Sequence, residues 1–268
     1  MAVQSIPADA LLRDRPPTNR TMIQNMNIAG SDFEISAPLA LPLNEVQVWR
    51  ADLESLRADE SRWLSLLSAD EKARAARFHF PVDRQRFAAA RALLRTILAA
   101  YLNSDPRQLT FLYSPKEKPS LAPPHAASGV TFNVSHSGGV AMYAFSRKRD
   151  LGIDVEQVRR NSDIEAIARR FFSTHEQTQF FALPAEERVA AFFRCWTRKE
   201  AYLKATGDGL SLPLSQFDVS IEPGSQDALA ATRPDPAEAA RWRLTEVPAG
   251  SGYIAALCVR GRDWELKG

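Results

Sequence analysis

Cysteine is nearly absent from this chain of 268 residues, which holds only Cys195 and Cys258. Two thiols so far apart form neither a disulfide framework nor a clustered zinc site, and they read as free side chains of a reducing compartment. Long apolar runs are missing as well: no stretch approaches the roughly 20 residues that cross a bilayer. The N-terminus sets Asp9, Arg13 and Asp14 among short apolar pieces and lacks the basic-then-apolar run of a secretory signal. The expectation is a cytoplasmic protein without a membrane segment. Excess charge of either sign is also lacking. The 34 Lys and Arg nearly cancel the 32 Asp and Glu, leaving a formal net charge of +2, so neither a nucleic-acid footprint nor a polyacidic partner is expected. Any recognition by charge must be local. What is present is ordinary globular material, 45% apolar, enough for one large domain or two modest ones, and it excludes disorder as the main state.

Residues 1–42 mix Pro, Asn, Ser and Ala without a sustained period and read as a loose leader. From Val46 the pattern sharpens. Val46, Val48 and Trp49 suggest a strand, and Leu53 to Leu67 repeats apolar residues at helical spacing. Ser68 with Glu71 three residues on is a capping-box signature for a helix running to about Phe80. Beyond Pro81, Val82 to Tyr101 reads as a long helix with Phe87, Leu94, Ile97 and Leu98 on one face, while Arg84, Arg86, Arg91 and Arg95 decorate the others, where simple solvation is one reading. Short apolar runs then follow as strands: Leu109 to Tyr113, Val130 to Val134, Val140 to Phe145 and Leu151 to Val155. Helical spacing returns over Ile164 to Phe172, Glu176 to Ala182 and Ala185 to Ala205, and Gly207-Asp208-Gly209 ends it. Three further strands are expected at Phe217 to Ile221, Trp242 to Val247 and Tyr253 to Val259. The fold class is α+β.

A weak internal repeat adds architecture. Val48-Trp49 precedes Ser68-Ala69-Asp70-Glu71 by the same interval at which Ile153-Asp154 precedes Ser173-Thr174-His175-Glu176, and each capped segment leads into a long helix. Chance similarity is the alternative. Read as organisation, the repeat divides the chain into a leader (1–42), an N-terminal α+β half (43–149) and a C-terminal α+β half (150–268).

Three segments concentrate chemistry. Asp154 and Glu156, two apart on a strand, point to one side about 7 Å apart and suit a hard cation such as Mg²⁺. The alternative is the wet face of an edge strand. Glu200 and Lys204, four apart on a helix, share a face. They read either as a routine helix ion pair or as a third metal ligand beside a phosphate-neutralising ammonium. Phe132-Asn133-Val134-Ser135-His136-Ser137-Gly138-Gly139 ends an apolar strand in a turn whose hydroxyls, imidazole and backbone N–H groups can meet a phosphate. No Gly-x-Ser-x-Gly elbow surrounds Ser135 or Ser137, which argues against a serine hydrolase.

In order and spacing, Phe132–Ser137, Gly152-Ile153-Asp154-Val155-Glu156, Arg170-Phe171-Phe172-Ser173 with Glu176, and Trp196-Thr197-Arg198-Lys199-Glu200-Ala201 with Lys204 resemble the pseudo-dimeric, surfactin-synthetase-activating type of 4′-phosphopantetheinyl transferase, over about residues 46–220. The resemblance implies two similar α+β halves related by a pseudo-twofold, with coenzyme A bound in the cleft between them and a monomeric chain. It implies transfer of the phosphopantetheine arm of coenzyme A to a serine of an apo acyl, peptidyl or polyketide carrier protein, with Mg²⁺, or Mn²⁺ in its place. By the same resemblance, Asp154, Glu156 and Glu200 hold the metal. Lys204, His136 and Ser135 contact phosphate, Lys118 lies near the adenine, and Arg74 and Arg86 face the 3′-phosphate. Glu200 is the candidate general base, with Asp154 and Lys204 completing the catalytic set. The chain departs from the pattern twice. Glu117 stands where the family has the glycine of Gly-Lys-Pro, and Glu71 stands at a basic position that Arg74 or Arg77 is placed to replace. An apolar patch around Phe171, Phe172 and Phe180 is a candidate carrier contact, with core packing as the alternative.

Overall fold

The structure, a computed structural model, describes residues 26–29, 35, 37–160, 163–207 and 209–268. Most of the expected leader, and Asp208 of the glycine-flanked stop, lie outside the described residues. The chain forms two units, one of Gln24–Arg149 with Asp263–Gly268 and one of Asp150–Arg262, called here the N-terminal and C-terminal units.

The N-terminal unit runs β1 (Met26–Ile28), β2 (Glu45–Asp52), α1 (Leu53–Leu56), α2 (Glu60–Leu66), α3 (Ala69–Ala75), α4 (Pro81–Leu102), β3 (Phe111–Tyr113), β4 (Pro119–Leu121), β5 (Val130–Ser137) and β6 (Val140–Arg147). The C-terminal unit runs β7 (Leu151–Gln157), α5 (Ile164–Phe171), α6 (Thr174–Ala182), α7 (Ala185–Thr206), β8 (Phe217–Val219), β9 (Leu229–Thr232), β10 (Trp242–Val247) and β11 (Tyr253–Arg260). β12 (Glu265–Lys267) then adds to the N-terminal unit's sheet.

Each unit repeats one order of elements. In the N-terminal unit β2 pairs antiparallel with β6, and β6 with β5; in the C-terminal unit β7 pairs antiparallel with β11, and β11 with β10. Both place a capped short helix, a 22-residue helix and a two-stranded hairpin between the first strand and the last pair. The N-terminal unit's sheet is wider, because β1 and β12 both lie parallel along the free edge of β2. β1 falls in the stretch read as leader, and Leu41 joins the core. The same edge-covering strands, like β4 and β9, were too short to show a period of two.

The long helices pack on these sheets through small and aliphatic residues. In α4, Ala88, Ala92, Leu93, Ile97 and Leu98 are fully buried beside Trp49, Tyr143 and Phe145. The buried polar tips are satisfied: Trp49 Nε1 donates to Tyr101 Oη at 2.9 Å, and Tyr101 Oη to Gln47 Oε1 at 2.6 Å. In the C-terminal unit α7 lays Ala191, Phe192, Ala201, Tyr202 and Ala205 into a core with Phe217, Leu244 and Cys258. Both cysteines are free and buried.

Some sequence readings require correction. The helix expected over Leu53–Leu67 is broken by a 3₁₀ turn at Arg57–Asp59. The Trp63 indole donates to the Leu56 carbonyl at 2.7 Å and satisfies an acceptor that the break frees. α3 stops at Ala75 rather than near Phe80, and Pro81 opens α4 at its first turn, where no N–H is needed. Arg95 is not a solvated side chain. It is 1% exposed and donates to Glu71 Oε2 at 2.7 Å and to the Pro106 and Leu109 carbonyls. Of the proposed carrier patch, Phe172 and Phe180 are core residues at 2% and 0% exposure, and Phe171 leans on Trp196 with centroids 6.0 Å apart. Burial therefore removes that patch.

Candidate functional site

In the C-terminal unit, the sheet–helix contact between β7 and α7 brings the acidic residues and Lys204 together. Asp154 and Glu156 pair in register with Ala256 and Ile254 of β11, which puts both on one side of the strand. Gly152, two residues earlier on that side, is what lets α7 come so near. A Cβ there would lie 2.2 Å from the Ala201 carbonyl oxygen, 2.4 Å from Ala205 N and 2.8 Å from the Lys204 carbonyl carbon. Only glycine fits against that helix backbone. The contact delivers Lys204 Nζ to 2.6 Å from Asp154 Oδ1 and 3.3 Å from the Ile153 carbonyl. Lys204 is thus paired across to the strand, which is a different partner from the Glu200 expected for a routine helix ion pair.

Glu200 sits one turn before Lys204 on α7. Its carboxyl holds its proton more tightly than a free glutamate does, first because it is buried, then because Asp154 and, more weakly, Glu156 repel its charge; Lys204 opposes the shift. Among the described residues, no three acidic, histidine or cysteine side chains are drawn tightly enough together to enclose an ion. The donor set is nonetheless all-oxygen and anionic, the chemistry that suits Mg²⁺ or Mn²⁺.

A buried ion pair anchors α7 from its other side. Lys199 and Glu176, both 0% exposed, meet at 2.8 Å. Lys199 Nζ also donates to the Leu214 and Phe217 carbonyls at 2.6 and 2.8 Å. Glu176 accepts from Val219 N at 2.7 Å and from Ser173 N at 2.8 Å, the second being half of a capping box. The N-terminal unit has a parallel: Glu71, in the capping box with Ser68, holds Arg91 and Arg95 of α4. Glu71 is 2% exposed, so it is an interior anchor rather than a ligand-facing residue.

The remaining expected residues lie in the N-terminal unit. Ser135 and His136 occupy the end of β5, Ser135 buried and His136 exposed, ahead of the turn at Gly138, where φ is +54°. Arg86 of α4 donates through Nε to Glu54 Oε1 at 2.8 Å. Glu54 in turn lies against Gly139, where a Cβ would fall 2.7 Å from Glu54 Cγ, and Leu53 N donates to the Gly139 carbonyl at 2.8 Å. Glu54 thus links Arg86 to the His136 turn. Arg74 is exposed on α3, its guanidinium 5.6 Å from the Phe87 ring centroid. Lys118 stands between β3 and β4, its backbone N–H bound to Ser114 Oγ at 3.1 Å. Glu117 holds φ at +60°, so the turn keeps a left-handed residue where the family element has glycine.

The sequence alone singled out the acids, Lys204 and the His136 turn, and the structure brings Lys204 onto Asp154. Sequence reasoning missed Glu54, the role of Gly152, and the Glu176–Lys199 anchor. Gly152 carried a readable signal, since a glycine two residues before a strand acid lies on the same face.

Comparison with known proteins follows the division into units. Residues 150–258 match the model of the 4′-phosphopantetheinyl transferase superfamily, and residues 49–148 match that of the 4′-phosphopantetheinyl transferase N-terminal region. The chain is 41% identical over 229 residues to the 4′-phosphopantetheinyl transferase HetI of Nostoc sp., covering 85% of this chain and 93% of that protein. It is 38% identical to a putative 4′-phosphopantetheinyl transferase of Synechocystis sp., over 69% of this chain and 73% of the other. With the 4′-phosphopantetheinyl transferase Sfp of Bacillus subtilis the identity is 30%, over 77% and 88%.

Proposed function

We infer that this chain, which belongs to the 4′-phosphopantetheinyl transferases, moves the phosphopantetheine arm of coenzyme A onto a serine of an apo carrier protein with the help of Mg²⁺. The observation that carries the reading is the meeting of Asp154, Lys204 and Glu200 at the β7–α7 contact, inside the segment that matches the superfamily.

The serine Oγ of the carrier attacks the β-phosphorus of coenzyme A. A new P–O bond forms, the bond to the nucleotide breaks, and 3′,5′-adenosine bisphosphate leaves. Asp154, Glu156 and Glu200 would hold the divalent ion, which when bound offsets negative charge on the pyrophosphate. Lys204 adds a positive charge to those phosphates. Glu200, beside Lys204 on α7, takes the serine proton as general base. Ser135 and His136 donate to phosphate oxygens, and Arg74 and Arg86 grip the 3′-phosphate. The left-handed turn at Glu117 supports keeping Lys118 beside the adenine.

The repeated order of elements in the two units supports reading the chain as a duplicated half, and with it a monomer. Free, buried cysteines support a reducing, cytoplasmic setting; among the described residues no helix is long and apolar enough to cross a membrane.

The test is incubation of the purified chain with coenzyme A and an apo carrier protein, with Mg²⁺ or with a chelator, followed by intact mass. A carrier heavier by one phosphopantetheine arm only when Mg²⁺ is present is the expected outcome. Free phosphopantetheine beside an unmodified carrier would make the chain a phosphohydrolase, and full transfer in chelator would remove the metal.

A further inference from the structure

We propose that Lys204 is the resident counter-cation of Asp154, and that it gives up this place to the divalent ion when coenzyme A draws its ammonium onto phosphate. The inference rests on the metal-site reading above and adds a binding order to it. Asp154 is 4% exposed, and a carboxylate so placed needs a positive neighbour. In this structure that neighbour is Lys204, at 2.6 Å from Oδ1.

The two partners differ in freedom. The Asp154 side chain, 6% exposed, is held in the sheet; that of Lys204 is 29% exposed and hangs on a flexible four-carbon stem. An ion arriving at Asp154 would meet an ammonium already on the same carboxylate, and two cations a few ångströms apart in a half-buried site repel. The ion therefore binds only as Lys204 withdraws. Withdrawal into water gives up a charge-assisted hydrogen bond, whereas withdrawal onto the pyrophosphate replaces it. Coenzyme A and the metal then strengthen each other's binding, and the coupling is reciprocal.

The experiment is Mn²⁺ binding to the metal-free chain, followed by the paramagnetic resonance signal of free Mn²⁺, with and without coenzyme A, for the wild type, Lys204→Met and Asp154→Asn. The wild type is expected to bind Mn²⁺ weakly alone. Lys204→Met is expected to bind Mn²⁺ alone roughly ten- to a hundredfold more tightly, the worth of a hydrogen bond between charged groups, and to show a smaller gain from coenzyme A. Thermal unfolding gives a second readout: without metal, Lys204→Met melts below the wild type, and Mn²⁺ raises its midpoint by more. If Lys204→Met leaves Mn²⁺ affinity unchanged while Asp154→Asn removes binding, the metal site stands and the exchange is overturned. If Asp154→Asn binds Mn²⁺ as the wild type does, the metal-site reading itself fails and takes the exchange with it.

Discussion

Replacing Gly152 with alanine puts a methyl group where the backbone of α7 already lies. The new Cβ would be 2.2 Å from the Ala201 carbonyl oxygen and 2.4 Å from Ala205 N, against an ordinary contact that begins near 3.4 Å. Strand and helix must separate by roughly 1 Å, and none of the offending atoms belongs to a side chain that can rotate away. Overpacking costs about 1–3 kcal/mol, and a clash with backbone belongs at the top of that range, which lowers Tm by several degrees. The functional loss should be larger than the structural one. Lys204 and Glu200 ride on the displaced segment, and a shift of about 1 Å in a positioned group slows a reaction by about 100-fold. Thermal unfolding and single-turnover transfer, measured side by side, check both numbers. A variant that melts and transfers like the wild type would refute the claim that this close approach places Lys204.

Three other substitutions probe separate parts of the account. Glu200 holds its proton above the usual 4.5, so its ionised form weakens folding as pH rises from there through the raised value; Glu200→Gln should stabilise the metal-free protein at neutral pH but not near pH 4, and abolish transfer. Denaturant titrations at the two pH values decide it, and equal effects at both would contradict the shift. Lys199→Met leaves Glu176 charged and alone in the core and should cost about 3–5 kcal/mol; a urea midpoint close to wild type would show the pair to be dispensable. Glu117→Gly relieves a left-handed backbone at φ +60° and should gain about 1 kcal/mol without loss of transfer; a lower Tm would mean that the Glu117 side chain matters more than its backbone.

Where a segment was long and periodic, its element was readable before any coordinates. α4 and α7, each 22 residues, lie within a residue or so of the expected bounds, and the two capping boxes mark real helix starts. The short strands β1, β4, β9 and β12 were invisible because three or four residues carry no period, and they exist through pairing with distant segments. The site divides the same way. Asp154, Glu156, Glu200 and Lys204 stood out through spacing, but spacing joined Lys204 to Glu200, whereas the fold joins it to Asp154 fifty residues away. Arg95 was misread because an arginine on a helix looks solvated until its partner is known; its burial depends on α3 meeting α4. Glu54 acts through its contact with the turn at Gly139, which no local pattern announces, whereas Gly152 could be read from its place two residues before a strand acid.

Asp154 pairs with Lys204 and belongs to the proposed metal set, so one assay bears on the site most directly: the rate of carrier mass gain with coenzyme A and saturating Mg²⁺, for the wild type and for Asp154→Asn shown by circular dichroism to be folded. The wild type should convert the carrier completely while the folded variant leaves it unmodified. Conversion by Asp154→Asn at the wild-type rate would contradict the placement of the reaction at the β7–α7 contact.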